Sequence, residues 1–400
     1  MFDYSQLKFF EEILKEKNVL IFSEADHGDG SSYDAQCMIM KGLIDSSKIN
    51  TVYTESSWIV LDKINDILKE EGKKGISKTI GYMQSIELKY WVSNGFWNYL
   101  ANKIIEGKVL LRGFDIGASD TIVSELFNES MNLKSVKAYI QSNPKDFEEI
   151  KFDYENFDGW QVASTFYEDG YKQQKGFVDS VIKGYSATNN LYRVKQWQTI
   201  LDFFYWMYKR TLLLKGNRYG NVPEGDRQES AFMSVRDSLM ASYFLQDYNL
   251  NKNTKAVALM SSYHAMHNFN LIEGLNDCCI DPSVNIIGEI LYKKIGKEIY
   301  NMCFITSSGF RGINYYFPKK VLRKIPKLKK NSLEYGLKDL PNAYAIIDFK
   351  SSSLNDSLFY MSPIFYRNLK SNWSKNFSGV FFIKKMEPIV LGKEQLQKIK

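Results

Sequence analysis

The chain holds three histidines in 400 residues, and each stands just beyond a short apolar run. His27 lies in "VLIFSEADHGDGSSY" (19–33), three residues after Glu24, while His264 and His267 lie in "SSYHAMH" after "KAVALM" (255–260). A carboxylate three residues from an imidazole can accept the proton of one ring nitrogen, which sets the tautomer and leaves the other nitrogen as a base. Two more acids close apolar runs, Glu55 in "INTVYTE" (49–55) and Asp115 in "KVLLRGFD" (108–115). Imidazoles ringed by carboxylates suit proton abstraction from water and attack on a carbonyl carbon. Each residue also has a plain structural reading. A histidine at a strand end is ordinarily a satisfied polar group; Glu55 could serve the macrodipole of the next helix, and Asp115 could cap the helix opened by "ASDTIVSEL".

Other chemistries lack their signatures. There is no GxSxG elbow, no HExxH and no Walker loop. "HGDGSSY" imitates a dinucleotide fingerprint, but Tyr33 occupies the third glycine position, and Glu24, Asp26 and Asp29 would crowd a pyrophosphate with negative charge. The cysteines Cys37, Cys278, Cys279 and Cys303 include no CxxC, so they read as reduced, buried apolar groups.

The elements that would position these residues follow from pattern. The three segments "NVLIFSE", "INTVYTE" and "KVLLRGFD" are short, apolar and β-branched, as buried parallel strands are. Between them, Ala35, Met38, Ile39 and Leu43, and then Val60, Leu61, Ile64, Ile67 and Leu68, recur at helical spacing. Such βαβ alternation with right-handed crossovers brings all strand ends to one edge of a sheet. Residues 116–250 read as a helical insertion whose aromatic residues, among them Trp160, Phe203, Phe204 and Trp206, form core. Strand text resumes at 255–262, 299–308, 313–317, 343–349 and 379–385. The fold class is therefore α/β, three-layer α/β/α with a largely parallel central sheet, in a single domain over 1–400. Because ligands bind at the carboxyl ends of strands in such sheets, the site is expected there.

Composition narrows the partners. With 44% apolar residues the chain can bury a large core, and a net charge of +6 is modest for this length. The basic run "PKKVLRKIPKLKKN" (318–331) is broken by prolines and lacks interleaved aromatics, so it reads as a solvated connector and not as a nucleic-acid surface. The first residues pattern as an amphipathic helix and not as a signal peptide, and no apolar stretch approaches membrane-spanning length. The expectation is a soluble cytoplasmic protein that binds a small molecule, with neither nucleic acid nor membrane as partner.

With these residues in place, the chain resembles the erythromycin esterase family. The family's G-E-x-x-H-G motif is similar to "SEADHG" with Glu24 and His27, its E-x-D-W to "ESSW" with Glu55 and Trp58, and its G-F-D to "GFD" ending at Asp115. Its R-D-x-x-M helix resembles "RDSLM" from Arg236, and its H-N-x-H resembles "HAMH" with His264 and His267. The resemblance runs in order along nearly the whole chain. It implies a hydrolase of a carboxylic ester or lactone, macrolide-like or another natural product, needing no metal or cofactor. In that reading His27 is the base, Glu24 and Glu55 orient or polarise it, and His264 and His267 assist at the oxyanion or the leaving alcohol. Trp58, Asp115 and Arg236 would contact substrate. Three positions depart from the family: Ser23 replaces a glycine, Ala265 an asparagine, and Gln36 an arginine that would neutralise the glutamates. The rival readings are a metal- or haem-binding protein of a related strand-edge fold and a biosynthetic enzyme acting on a carboxyl bond.

Overall fold

A sheet of seven strands forms the centre of the computed structural model, which describes residues 4–84, 88–117, 120–155, 168–215, 222–250, 254–275, 284–312 and 323–389. In chain order the strands are β1 (Val19–Glu24), β2 (Thr51–Ser57), β3 (Leu110–Asp115), β4 (Ala256–Ser261), β5 (Ile299–Thr306), β6 (Tyr344–Asp348) and β7 (Gly379–Ile383). Their spatial order is β3-β2-β4-β1-β5-β7-β6. All neighbours run parallel except β6, which lies antiparallel to β7 at one edge. Strands β1, β2, β4 and β5 are buried along their full length, as apolar runs covered on both faces must be.

Alternation along the strands separates two layers of core. On β5, Met302 and Phe304 enter the larger cluster while Cys303 and Ile305 enter a smaller one. Strand β7 repeats this, with Phe381 and Ile383 on one side and Val380 and Phe382 on the other. The larger cluster takes Phe10 and Leu14 from the helix Tyr4–Glu16, Ala35, Ile39 and Leu43 from Gly30–Asp45, and Val60, Leu61, Ile64 and Leu68 from Trp58–Glu71. Met38 departs from the expected stripe: it is 39% exposed, and Cys37 takes the buried side in its place.

Between β3 and β4 come the helices Asp120–Ser130, Lys134–Ser142, Pro144–Glu155, Glu168–Ala187, Leu191–Lys215 and Val222–Leu250, with no strand among the described residues. They are held by packed aromatic rings. Phe127 lies 4.6 Å from Tyr154 and 5.5 Å from Phe177, and Tyr154 lies 5.9 Å from both Trp197 and Phe204. Each such buried ring contributes about 1.5–3 kcal/mol of transfer free energy. Phe203, Phe204 and Trp206 are core, as expected. Trp160, Cys278, Cys279, the 313–317 strand text and residues 318–322 of the basic run fall outside the described residues. The rest of that run is mostly exposed. Among the described residues no helix is long and apolar enough to cross a membrane.

Candidate active site

Four neighbouring strands end side by side, and each brings one charged group or pair to the same edge. Asp115 is the last residue of β3, Glu55 stands near the end of β2, His264 follows β4 by three residues, and Glu24 is the last residue of β1 with His27 three residues beyond. The parallel register sets Glu24 opposite Ser261 and Ser57 opposite Asp115. In a regular strand, consecutive side chains alternate faces. Strand β2 breaks this rule: its register slips between Thr54 and Ser57, and Thr54, Glu55 and Ser56 all line one cleft with Glu24, Tyr33, Leu88, Leu259 and Met260. A bulge that re-aims side chains is a common device beside a functional site.

Two polar clusters reach this cleft, one through Glu24 and the other through Glu55. In the first, His27 Nδ1 lies 3.1 Å from Glu24 Oε1, and Gln36 Nε2 donates to Glu24 Oε2 at 3.4 Å. The His27 side chain is 25% exposed and that of Glu24 only 4%. Burial, with a smaller push from the Glu55 charge, holds the Glu24 carboxyl above its ordinary range, although the hydrogen bond to His27 opposes this. Gln36 supplies a dipole here and no charge.

The second cluster centres on Glu55. Its Oε2 accepts the backbone N–H of Ser261 at 3.0 Å, and its Oε1 lies 3.2 Å from His264 Nε2 and 3.5 Å from Arg236 Nη2. His264 Nδ1 faces Asp237 Oδ1 in an ion contact at 2.8 Å. The other Asp237 oxygen accepts from the N–H of Ile287. Arg236 grips Asp115 with two hydrogen bonds, Nε to Oδ1 at 3.0 Å and Nη2 to Oδ2 at 2.7 Å.

The protonation states follow from the neighbours. Burial disfavours a charged His264 ring, but Asp237 and Glu55 outweigh it and raise its pKa to about 10. Burial likewise pushes Glu55 upward, yet His264, then His27 and Arg236, hold it well below the usual carboxylate range. For Arg236, Asp115 and Glu55 overcome burial and keep the guanidinium charged. The cleft thus holds one carboxylate fixed in its ionised form and a second, Glu24, whose ionisation is opposed. Carboxylates driven apart in this way take different roles in acid–base chemistry.

Not every expected residue joins. The chain leaves the short helix Ser262–Ala265 in extended form at Met266, and His267 stacks on Tyr292 with centroids 3.7 Å apart. Burial lowers its pKa to about 4. Trp58 is 4% exposed and packs between Tyr192 and Tyr243 under Lys195 Nζ, which lies 4.3 Å above its ring; it is not among the cleft-lining residues. Neither Glu55 nor Asp115 plays its simple structural part, since Ser57 caps the following helix and Asp115 binds Arg236. Both ring nitrogens of His264 face carboxylates, so its geometry makes it a partner of Glu55 and not an oxyanion donor. Sequence reasoning passed over Asp237. The signal was available: a carboxylate in the middle of "FMSVRDSLMASYF" is in apolar text and is buried only when paired. Among the described residues, no group of three or more His, Cys, Asp or Glu side chains could hold a metal ion.

Comparison with known proteins bears on the fold. No sequence-family model matches the chain, and no curated protein matches it. Solved structures do. A succinoglycan biosynthesis protein superposes with a TM-score of 0.69 at 12% identity, over 97% of this chain and 92% of its own. A Bacillus cereus protein gives 0.69 and 12%, over 98% and 94%. A mutant of the erythromycin esterase EreC in its open conformation gives 0.70 and 12%, over 98% and 96%. Mixed α/β with a mostly parallel central sheet, the chain has the erythromycin-esterase-like fold.

Proposed function

We propose that the protein hydrolyses a carboxylic ester or lactone, with His27 as the general base. The observation that carries this reading is the His27–Glu24 pair, its imidazole partly open to solvent and its carboxylate lining one cleft with a Glu55 that His264 and Arg236 hold ionised. Glu24 accepts the Nδ1 proton and so presents Nε2 as the basic nitrogen. His27 then takes a proton from water as the water oxygen attacks the carbonyl carbon, and returns it to the alcohol oxygen as the C–O bond breaks. The imidazolium formed between these steps is stabilised by the charge of Glu55, which interacts with His27 in the resting site. The partner is a small-molecule ester or lactone. The likeness in fold to an erythromycin esterase supports this class of reaction.

A panel of esters and lactones, assayed in parallel with the wild type and His27→Ala, tests the assignment. A positioned base is worth roughly 100- to 10,000-fold in rate, so turnover should fall by that factor while the far-ultraviolet circular dichroism is unchanged. Equal turnover by the two proteins would remove His27 from the chemistry.

A further inference from the structure

The loop that carries His27 is gripped by three segments from the far end of the chain. Phe365 donates its N–H to Ala25 O at 2.9 Å, Gly312 donates to Gly28 O at 3.0 Å, and Ile389 donates to the same oxygen at 3.2 Å. The approach of Gly28 to Gly312 is so close that a Cβ on Gly28 would lie 2.1 Å from Gly312 O. In the middle sits Arg311, whose Nη1 donates to Asp26 Oδ2 at 2.6 Å, with the two side chains 14% and 17% exposed. The same nitrogen reaches Phe365 O at 3.4 Å, and the guanidinium carbon lies 5.4 Å from the centre of the Tyr366 ring.

The backbone beneath this contact is strained. Phe365 and Tyr366 are consecutive residues with φ of 47° and 59°, a left-handed conformation that costs a non-glycine residue about 1–2 kcal/mol. Strain of this kind persists where surrounding contacts over-determine it, and it clusters at functional sites. Here it turns the Phe365 carbonyl toward Arg311, the Phe365 N–H toward Ala25, and the Tyr366 ring beneath the guanidinium. None of these groups lines the cleft.

We propose that Arg311 is a positioning residue, which acts through Asp26 and the strained Phe365–Tyr366 turn to hold the Ala25–Gly30 loop so that His27 keeps its place on Glu24. The catalytic consequence rests on the reading of His27 as the base; the mechanical one does not. Removing the guanidinium frees Asp26 and lets the imidazole drift, and misplacement of a catalytic group by about 1 Å can cost 100-fold in rate.

The experiment compares wild type, Arg311→Ala, Arg311→Lys and Asp26→Asn by amide hydrogen exchange, histidine side-chain NMR and kinetics on the best substrate of the panel. In Arg311→Ala, exchange should quicken at residues 26–31, and the His27 resonance should move while those of His264 and His267 stay. The value of kcat should fall about 10- to 100-fold with KM nearly unchanged, and added guanidinium ion should restore part of it. Arg311→Lys should recover part of the loss, and Asp26→Asn should reproduce it. Unchanged exchange and an unmoved His27 resonance would overturn the brace, whatever the kinetics. Faster exchange with a displaced His27 and undiminished kcat would uphold the brace and overturn instead the role of His27 as base.

Discussion

Replacing Asp237 by Asn tests the electrostatic heart of the site, because it leaves the shape of the side chain and removes one of the two charges that face His264. With carboxylates at both ring nitrogens, His264 is held as imidazolium, its pKa raised from 6.5 to about 10. That interval corresponds to about 5 kcal/mol of preference for the charged ring. The depressed pKa of Glu55 reports partly the same attraction from its other end, so the two are not added. A group whose pKa is raised by folding contributes stability that is fully present below its unfolded value and is lost as pH climbs through the folded one. For His264 the window runs from 6.5 to about 10. One opposite charge at this range shifts a pKa by roughly 1–3 pH units, so Asp237→Asn should lower the His264 midpoint by that much. At neutral pH it should cost about 1.5–4 kcal/mol of stability, and the difference from wild type should fade as the pH climbs from the lowered midpoint to about 10. The three histidines give three sets of imidazole resonances, which makes NMR titration direct. His264 should remain protonated beyond pH 8 in the wild type, whereas His267 should stay neutral down to pH 5, given its lowered pKa of about 4. A wild-type His264 that titrates near 6.5, or a midpoint unmoved by the substitution, would refute the clamp.

Three further substitutions probe the neighbours. Glu24→Gln should abolish turnover yet raise the melting temperature at neutral pH, by the equivalent of about 0.5–2 kcal/mol. The sign follows from burial: a carboxyl whose pKa is raised in the fold contributes stability only at low pH and loses it as pH rises, so ionised Glu24 is a cost that Gln removes. Equal melting curves at acid pH and separated ones at pH 8 are the expected pattern, and a lower melting temperature for the variant at pH 8 would contradict it. Gln36→Arg places a cation within reach of Glu24 Oε2, where Gln36 Nε2 now stands at 3.4 Å. The cation should favour loss of a proton from the His27–Glu24 pair, so the acid limb of the kcat/KM profile, which the base His27 sets in this mechanism, should move to lower pH by roughly one to three units, and a limb that stays put would show that the pair does not govern it. Gly28→Ala drives a Cβ against the backbone of Gly312; thermal melts should show a loss of about 1–3 kcal/mol, and a variant as stable as wild type would disprove the close approach.

Much of the frame was legible because its signals are local. Continuous apolar runs marked β1 to β5 to within a few residues, and the scarcity of histidine drew attention to the strand ends. What stayed hidden depends on long-range order. Chain order does not reveal that β4 inserts between β2 and β1, yet that insertion sets Ser261 beside Glu24 and lets its N–H bind Glu55. His267 was read together with His264 because they share five residues of text, but one extended residue, Met266, turns the second ring onto Tyr292. Trp58 begins its helix one residue past the strand, and its ring joins the aromatic layer. Spacing alone places Met38 in the buried stripe, but neighbouring Cys37 fills that side. Asp237 was overlooked because a charge in helical text reads as solvent-facing until its partners, distant in sequence, are known.

The two imidazoles at this edge show how environment divides one residue type into two roles. His27 has Glu24 at one ring nitrogen and a quarter of its side chain open to solvent. His264 has carboxylates at both nitrogens and is 5% exposed, so releasing its proton would leave two buried carboxylates, Glu55 and Asp237, without the charge that faces them both. Such a release is opposed by the several kcal/mol that a broken buried pair costs. His264 is thus unfit to act as a base near neutral pH and well fitted to keep Glu55 ionised. In the mechanism proposed above the proton passes through His27, and the fixed charges of the other cluster set the field in which it passes.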